Sequence, residues 1–120
     1  MAIYVDAVVT PVSKKQMATY ARIARTFAKV WRQAGAVEYR ECVADDVSFG
    51  KRTSFPRSVK LKSGEVVCLT VALYKSRRHR DQVNAKAMKD PRIAPFMKAK
   101  KLPFDAKRLY FGGFKALLAL

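Results

Sequence analysis

Residues 66–74 read VVCLTVALY, a run with the length and β-branched content of a strand but with no polar face. Laid out at a period of two, Val67, Leu69, Val71 and Leu73 point one way, and Val66, Cys68, Thr70 and Ala72 the other. A strand whose sheet is covered on one side alternates apolar with polar residues. This one does not, so something must cover both faces. A chain of 120 residues is long enough for one domain with one core, which we take to span residues 1–120. The economical cover for the second face is another copy of the chain, so the run predicts a homodimer with its two sheets face to face.

The rest of the chain supplies the elements of such a sheet. IYVDAVVTPV (3–12) reads as a strand ended by Pro11, and Ser13 is placed to cap a long helix. In that helix Met17, Tyr20, Ala24, Phe27, Trp31 and Ala34 recur at spacings of three and four, widened by Ile23 and Val30, and Gly35 stops it. AVEYRECVA (36–44) reads as a second strand, DDVSFGKRTSFPRS as a long polar connection, and KSGE (62–65) as a turn into the apolar strand. A helix opened by Ser76 ends before Pro91, residues 92–101 add a short helical turn, and 107–120 form a last strand interrupted by Gly112 and Gly113. The order βαββαβ predicts a ferredoxin-like α+β domain with one mainly antiparallel sheet and both helices on one face.

Charge constrains the partners. Lys and Arg number 25 against 9 Asp and Glu, a formal net charge of +16 that attracts polyanions without dictating a fold. Residues 75–108 and one face of the first helix, with Arg22, Arg25, Lys29 and Arg32, concentrate it. Arg78 and Lys89 belong to the basic face of the later helix, so contact with RNA or DNA through these faces is the alternative function, largely independent of sequence. No helix-turn-helix, zinc finger or RNP-like strand is present. Cys42 and Cys68 have no CxxC partner, and a single histidine, His79, rules out a multi-histidine metal site, so no metal is expected. Asp6 interrupts what would be the apolar core of a leader, and 18 consecutive apolar residues occur nowhere, which reads as a cytoplasmic chain with no membrane partner.

The runs YVDAVVTPV, GAVEYRECVADDV followed by Gly50-Lys51, SRRHRDQVNAKAMKDPRI and PFDAKRLYFGGF resemble the bacterial YbaA-like proteins, domain of unknown function 1428, over nearly all of residues 4–114. The resemblance implies a dimeric α+β barrel. Related folds include cofactor-free monooxygenases, small isomerases, haem-degrading enzymes and ligand sensors, so the resemblance implies a protein that binds a small, apolar ligand, as a sensor or as a catalyst without a cofactor. The chain departs from the family pattern at Ala7 and Ala106 (for Gly), Ser54 (for Asp), Val71 (for an aromatic), and Leu73 and Lys115 (for acids).

Site candidates follow from the faces. With Ile3, Val5, Ala7 and Val9 turned to the helices, Tyr4, Asp6, Val8 and Thr10 would face the partner sheet. Cys68, Thr70 and Tyr74 would join them around a mostly apolar pocket. Asp6 is the candidate catalytic acid, because a carboxyl among apolar neighbours has a raised pKa and can act as a general base. The alternative is a structural pair with Arg108, Arg92 or a backbone donor. Arg80 and Asn84 lie on the apolar side of their helix and are candidates to reach inward, while resemblance supports a role for Arg80, Asp81 and the Asp90-Pro91-Arg92 corner. The ligand-binding set is therefore Tyr4, Asp6, Thr70, Tyr74, Arg80, Asn84 and Arg92. His79 is expected on an exposed face, and the Gly112-Gly113 pair is expected either to admit a ligand or to form a bulge.

Overall fold

In the computed structural model, which describes residues 3–120, the chain runs β1 (Tyr4–Ser13), α1 (Met17–Ala34), β2 (Glu38–Val43), α2 (Phe55–Ser58), β3 (Glu65–Tyr74), α3 (Arg77–Met88), α4 (Ala94–Lys98) and β4 (Tyr110–Lys115). The sheet order is β2-β3-β1-β4 with every neighbour antiparallel. This is the ferredoxin-like arrangement that the element order predicts.

β1 does not end at Pro11. It continues to Ser13, paired with β3 throughout, while its ladder with β4 stops at the pair Val9 and Tyr110. Ser13 N donates to Pro103 O on the β4 side. Two residues earlier the backbone of Pro11 points the same way, past the end of that ladder, where a missing N–H breaks nothing. Ser13 consequently caps no helix with its side chain. A 3-10 turn at Lys14–Gln16 intervenes, and Lys14 N donates to Gly64 O at 2.8 Å. Gly35, at φ 124°, ends α1 as expected, and its N–H reaches the carbonyls of Trp31 and Arg32.

Register decides which face is the core. Tyr4 stands opposite Tyr74, Asp6 opposite Ala72, Val8 opposite Thr70 and Thr10 opposite Cys68. These even positions lie under the helices: Tyr4, Ala72 and Tyr74 pack with Val83 of α3, and Val12 and Cys68 pack with Tyr20 and Ala24 of α1. The expected assignment was the reverse. Alternation could not settle it because both faces of β1 and β3 are apolar.

The other face carries Val5, Ala7, Val9, Val67, Leu69, Val71 and Leu73. One end of it is covered within the chain, where Val59 and Leu61, following α2, pack on Val9, Val67 and Leu69. Ser54 accepts from Arg57 N to start α2, and the Arg57 guanidinium donates to the Phe49 and Gly50 carbonyls and lies over the Phe49 ring at 4.5 Å. The remainder of that face, with Phe114 of β4 (61% exposed), has no cover among the described residues. No described helix is long and apolar enough to cross a membrane.

Candidate functional site

The helix-facing side of the sheet holds two carboxylates, in adjacent rows. One row is Tyr39, Ala72, Asp6 and Gly113, and the next is Glu41, Thr70, Val8 and Phe111.

Asp6 lies under the first turns of α3. Ser76 starts that helix by accepting from His79 N, and His79 Nδ1 accepts in return from Lys75 N at 3.0 Å, a reciprocal cap. His79 is thus half-buried against Tyr74 rather than displayed on an exposed face. The cap aims Arg80 at the sheet. Its Nη2 donates to the Tyr4 hydroxyl at 3.0 Å, its guanidinium lies 4.9 Å over the Tyr4 ring, and its Nε is 3.7 Å from Asp6 Oδ1 and 3.4 Å from Asp81 Oδ1. That Nε is buried and makes no hydrogen bond among the described residues. Burial pushes the Asp6 carboxyl above its ordinary range, while the Arg80 charge and the neighbouring Tyr74 hydroxyl pull the other way. The Tyr74 hydroxyl is itself raised, by burial and by Asp6.

Gly113 is what lets this cluster close. A Cβ there would sit 2.3 Å from Tyr4 Oη and 2.7 Å from Arg80 Nη2. The ladder runs through Gly112 and Gly113 in unbroken register, so the pair forms no bulge.

Glu41 lies in a different setting. A pocket of about 410 Å³ opens between α1 and strands β2 and β3, walled by Met17, Tyr20, Ala24, Tyr39 and Cys68, with Ala21 and Arg25 on its α1 side. Glu41 lines it, half-buried, with Oε2 accepting from the Tyr20 hydroxyl at 2.9 Å and Oε1 from Thr70 Oγ1 at 2.7 Å. Burial raises its pKa, opposed by those two donors. The Cys68 thiol on the same wall is pushed up to about 12 by burial and by Glu41, so it is no thiolate nucleophile at neutral pH. The hydroxyls of Tyr20 and Tyr39 are raised by burial and Glu41 as well.

The structure therefore divides the sequence-derived ligand set. Tyr4, Asp6, Tyr74 and Arg80 come together, on the helix side and not toward a partner sheet. Asn84 is their neighbour through α3, accepting from Trp31 Nε1 at 2.9 Å. Thr70 belongs with Glu41. Arg92 stands apart, held by Asp90 and Gln33 at the corner between α3 and α4, with the Asp90 carboxyl lowered to about 2 by that guanidinium. Arg108, a suggested partner of Asp6, pairs with Glu65 and Asp105 instead. Arg22, Arg25, Lys29, Arg78 and Lys89 are exposed, while Arg32, also exposed, donates to the carbonyls of Ala36 and Val37 beyond the end of α1. No cluster of metal-ligating side chains occurs among the described residues. Glu41 was missed by the sequence reading. Its signal was its place between Tyr39 and Val43 on one face of β2, while Glu38 and Arg40 take the other.

A family model described as protein of unknown function (DUF1428) matches residues 3–106. The uncharacterized protein YbaA of Escherichia coli (strain K12) is 36% identical over 115 residues, 96% of this chain and 97% of that protein. Among solved structures, a putative antibiotic biosynthesis monooxygenase from Nitrosomonas europaea superposes with a TM-score of 0.61 at 12% identity, over 96% of this chain and 90% of its own. A dimeric ferredoxin-like protein from an uncultured marine organism gives 0.53 at 10% identity, over 99% and 96%. SnoaB, a cofactor-independent oxygenase from Streptomyces nogalater, gives 0.52 at 18% identity, over 99% and 95%. At such identities the likeness shows the fold: ferredoxin-like α+β.

Proposed function

The chain belongs to the DUF1428 family, and from that premise we propose that it is a small-molecule-binding protein whose ligand occupies the pocket between α1 and strands β2 and β3, with Glu41 as its polar contact. One observation carries this reading: a half-buried carboxylate lines a pocket of about 410 Å³ and has no ion-pair partner among the described residues. Apolar walls with a few convergent polar groups are what small-molecule sites offer. Asp6 has a cation beside it and a place in the packing of α3, which supports its structural role over that of a catalytic base. Glu41 has room for a ligand next to it, and its raised pKa suits a group that accepts a proton from a bound molecule. Two of the solved structures of similar fold are described as a monooxygenase and a cofactor-independent oxygenase, and chemistry on a bound small molecule is in keeping with them.

The functional unit in this proposal is a homodimer. The uncovered half of the second sheet face, with Val5, Ala7, Val71, Leu73 and Phe114, is the surface that a second copy buries, and a fold relative described as dimeric supports the pairing.

The test is binding of a neutral aromatic probe, 1-naphthalenemethanol, followed by ligand-observed NMR. Ala21 is exposed and lines the pocket, so Ala21→Trp fills the site without disturbing the core. Binding that Ala21→Trp abolishes supports the pocket; binding unchanged in that variant, or no binding by this probe and by its amine analogue alike, refutes it.

A second reading, contact with RNA or DNA, is favoured by one observation. Arg22, Arg25 and Lys29 are exposed along α1, and no acid forms an ion pair with them among the described residues.

A further inference from the structure

We propose that the ligand of the α1 pocket carries a cationic nitrogen, an amine or ammonium group on an apolar body, and that Glu41 is its counter-charge. This rests on the pocket reading above and names the class of molecule.

The chain has 9 acids and 25 Lys and Arg, so cations are abundant. Asp6, Glu38, Glu65, Asp81, Asp90 and Asp105 each stand within ion-pair distance of an arginine. Asp45 and Asp46 are exposed to water and need no partner. Glu41 alone among the described acids is withdrawn from water without a cation. Buried carboxylates are ordinarily paired, because desolvation of an isolated charge is costly.

Its hydrogen bonding is incomplete as well. A carboxylate has about four acceptor sites, and Glu41 uses one per oxygen, both on neutral hydroxyls. The remaining capacity lies at a pocket whose walls Met17, Ala24 and Cys68 offer no strong donor, and Arg25, which also lines it, forms no ion pair with Glu41 among the described residues. A ligand ammonium supplies both what is missing: donors and positive charge. The rings of Tyr20 and Tyr39 beside Glu41 add faces on which a cation is attracted.

The net charge of +16 does not oppose this at short range. Fields from exposed charges are screened over about 8 Å at physiological ionic strength, whereas the contact with Glu41 is direct and partly desolvated. Arg25 at the α1 side instead disfavours a second positive group, so the class is a monocation with an apolar body.

The experiment titrates three probes of one shape by calorimetry: 1-naphthylmethylamine, 1-naphthalenemethanol and 1-naphthoate. The amine is expected to bind at least about tenfold more tightly than the alcohol, with the carboxylate weakest. Glu41→Gln should erase the preference for the amine, bringing its affinity level with that of the alcohol. The amine should also weaken as pH falls and Glu41 takes up its proton; Tyr20, Tyr39 and Cys68, all raised by burial and by Glu41, stay neutral there, and Arg25 and Cys42 also line the pocket. Equal affinity for amine and alcohol, or preference for the carboxylate, overturns the cation and leaves the pocket. Loss of none of the three on Ala21→Trp, or no binding by any, overturns the pocket and the cation with it.

Discussion

Tyr4 and Gly113 are mutually dependent. The Tyr4 hydroxyl occupies the space where any side chain on Gly113 would begin, 2.3 Å from the position of a Cβ, and in that place it accepts from Arg80. Gly113 has no positive φ, so its role is one of room and not of backbone conformation. The tyrosine is buried and cannot swing away without opening the core around Val83 and Tyr74.

Gly113→Ala is therefore expected to destabilise the fold by roughly 1–3 kcal/mol, the usual range for overpacking a filled site. The neighbouring Gly112→Ala has only the Phe114 ring within reach, at 3.7 Å, and should be near neutral. Thermal or denaturant unfolding of the two variants checks this, and equal effects would contradict the close approach.

Arg108 ties three parts of the chain together. It donates to both oxygens of Glu65, to Asp105, and to the carbonyls of Val59 and Lys60, and it is 13% exposed. Arg108→Met should lower stability by about 3 kcal/mol, the low end for removing one partner of a mostly buried pair. Because Arg108 holds the Glu65 carboxyl below its ordinary 4.5, the pair's contribution is present above that pH and is lost as pH falls through the lowered value. Acid unfolding of the wild type should steepen below about pH 4.5, and Arg108→Met should flatten that part of the curve.

Glu41 carries the opposite sign. Its pKa is raised in the folded chain, so it binds its proton more tightly folded than unfolded. Its contribution is fully present below the ordinary 4.5 and is lost as pH rises through the raised value. Glu41→Gln should then melt at or above the wild-type temperature at pH 7 and lose that advantage near pH 4. A variant that melts lower at pH 7 would show that the charge on Glu41 stabilises the fold, contrary to a site kept for a ligand.

These residues also mark how far the sequence carries the structure. The element order and the apolar stripe of α1 were legible because spacing alone encodes them, and Gly35 stopped the helix for the reason expected of it. The inward reach of Arg80 and Asn84 followed from the helical wheel. The side of the sheet was not legible: Val5, Ala7 and Val9 look as fit for a core as Tyr4, Thr10 and Val12. The choice depends on tertiary partners such as Val83, Tyr20 and Val59, which no local pattern displays. Glu41 was hidden by the same cause. An acid in EYREC reads as solvated until β3 brings Thr70, and α1 brings Tyr20, to its two oxygens. His79 escaped because its role is reciprocal with Ser76 and needs the cap to be seen.

The uncovered sheet face predicts association. Phe114 is 61% exposed and Val71 lies half-exposed on the same face, so a lysine at either position should leave the monomer folded. Light scattering at micromolar concentration should give a dimer for the wild type, and Phe114→Lys together with Val71→Lys should weaken it at least about tenfold. A monomeric wild type would end the face-to-face model and leave the α2 segment as that face's cover among the described residues.

The charge on α1 makes a separate demand. If Arg22, Arg25 and Lys29 meet phosphates, each contact neutralised should contribute close to one unit to the slope of log K against log salt. A fluorescent RNA hairpin and a DNA duplex of similar length, titrated at about 50 and about 200 mM salt, give that slope directly. Binding that favours one nucleic acid and persists at the higher salt, and whose slope drops by about three in the variant with all three residues changed to Gln, would place function on the helix surface. Loss of all binding at the higher salt, with the same affinity for both nucleic acids below it, is the outcome expected of a protein whose field attracts any polyanion while its specific site lies beneath that helix, at Glu41. The two surfaces share Arg25, which is exposed on α1 and also lines the pocket. Arg25→Gln therefore separates them by sign: it should weaken a polyanion and, by removing a repelling charge, tighten an amine in the pocket.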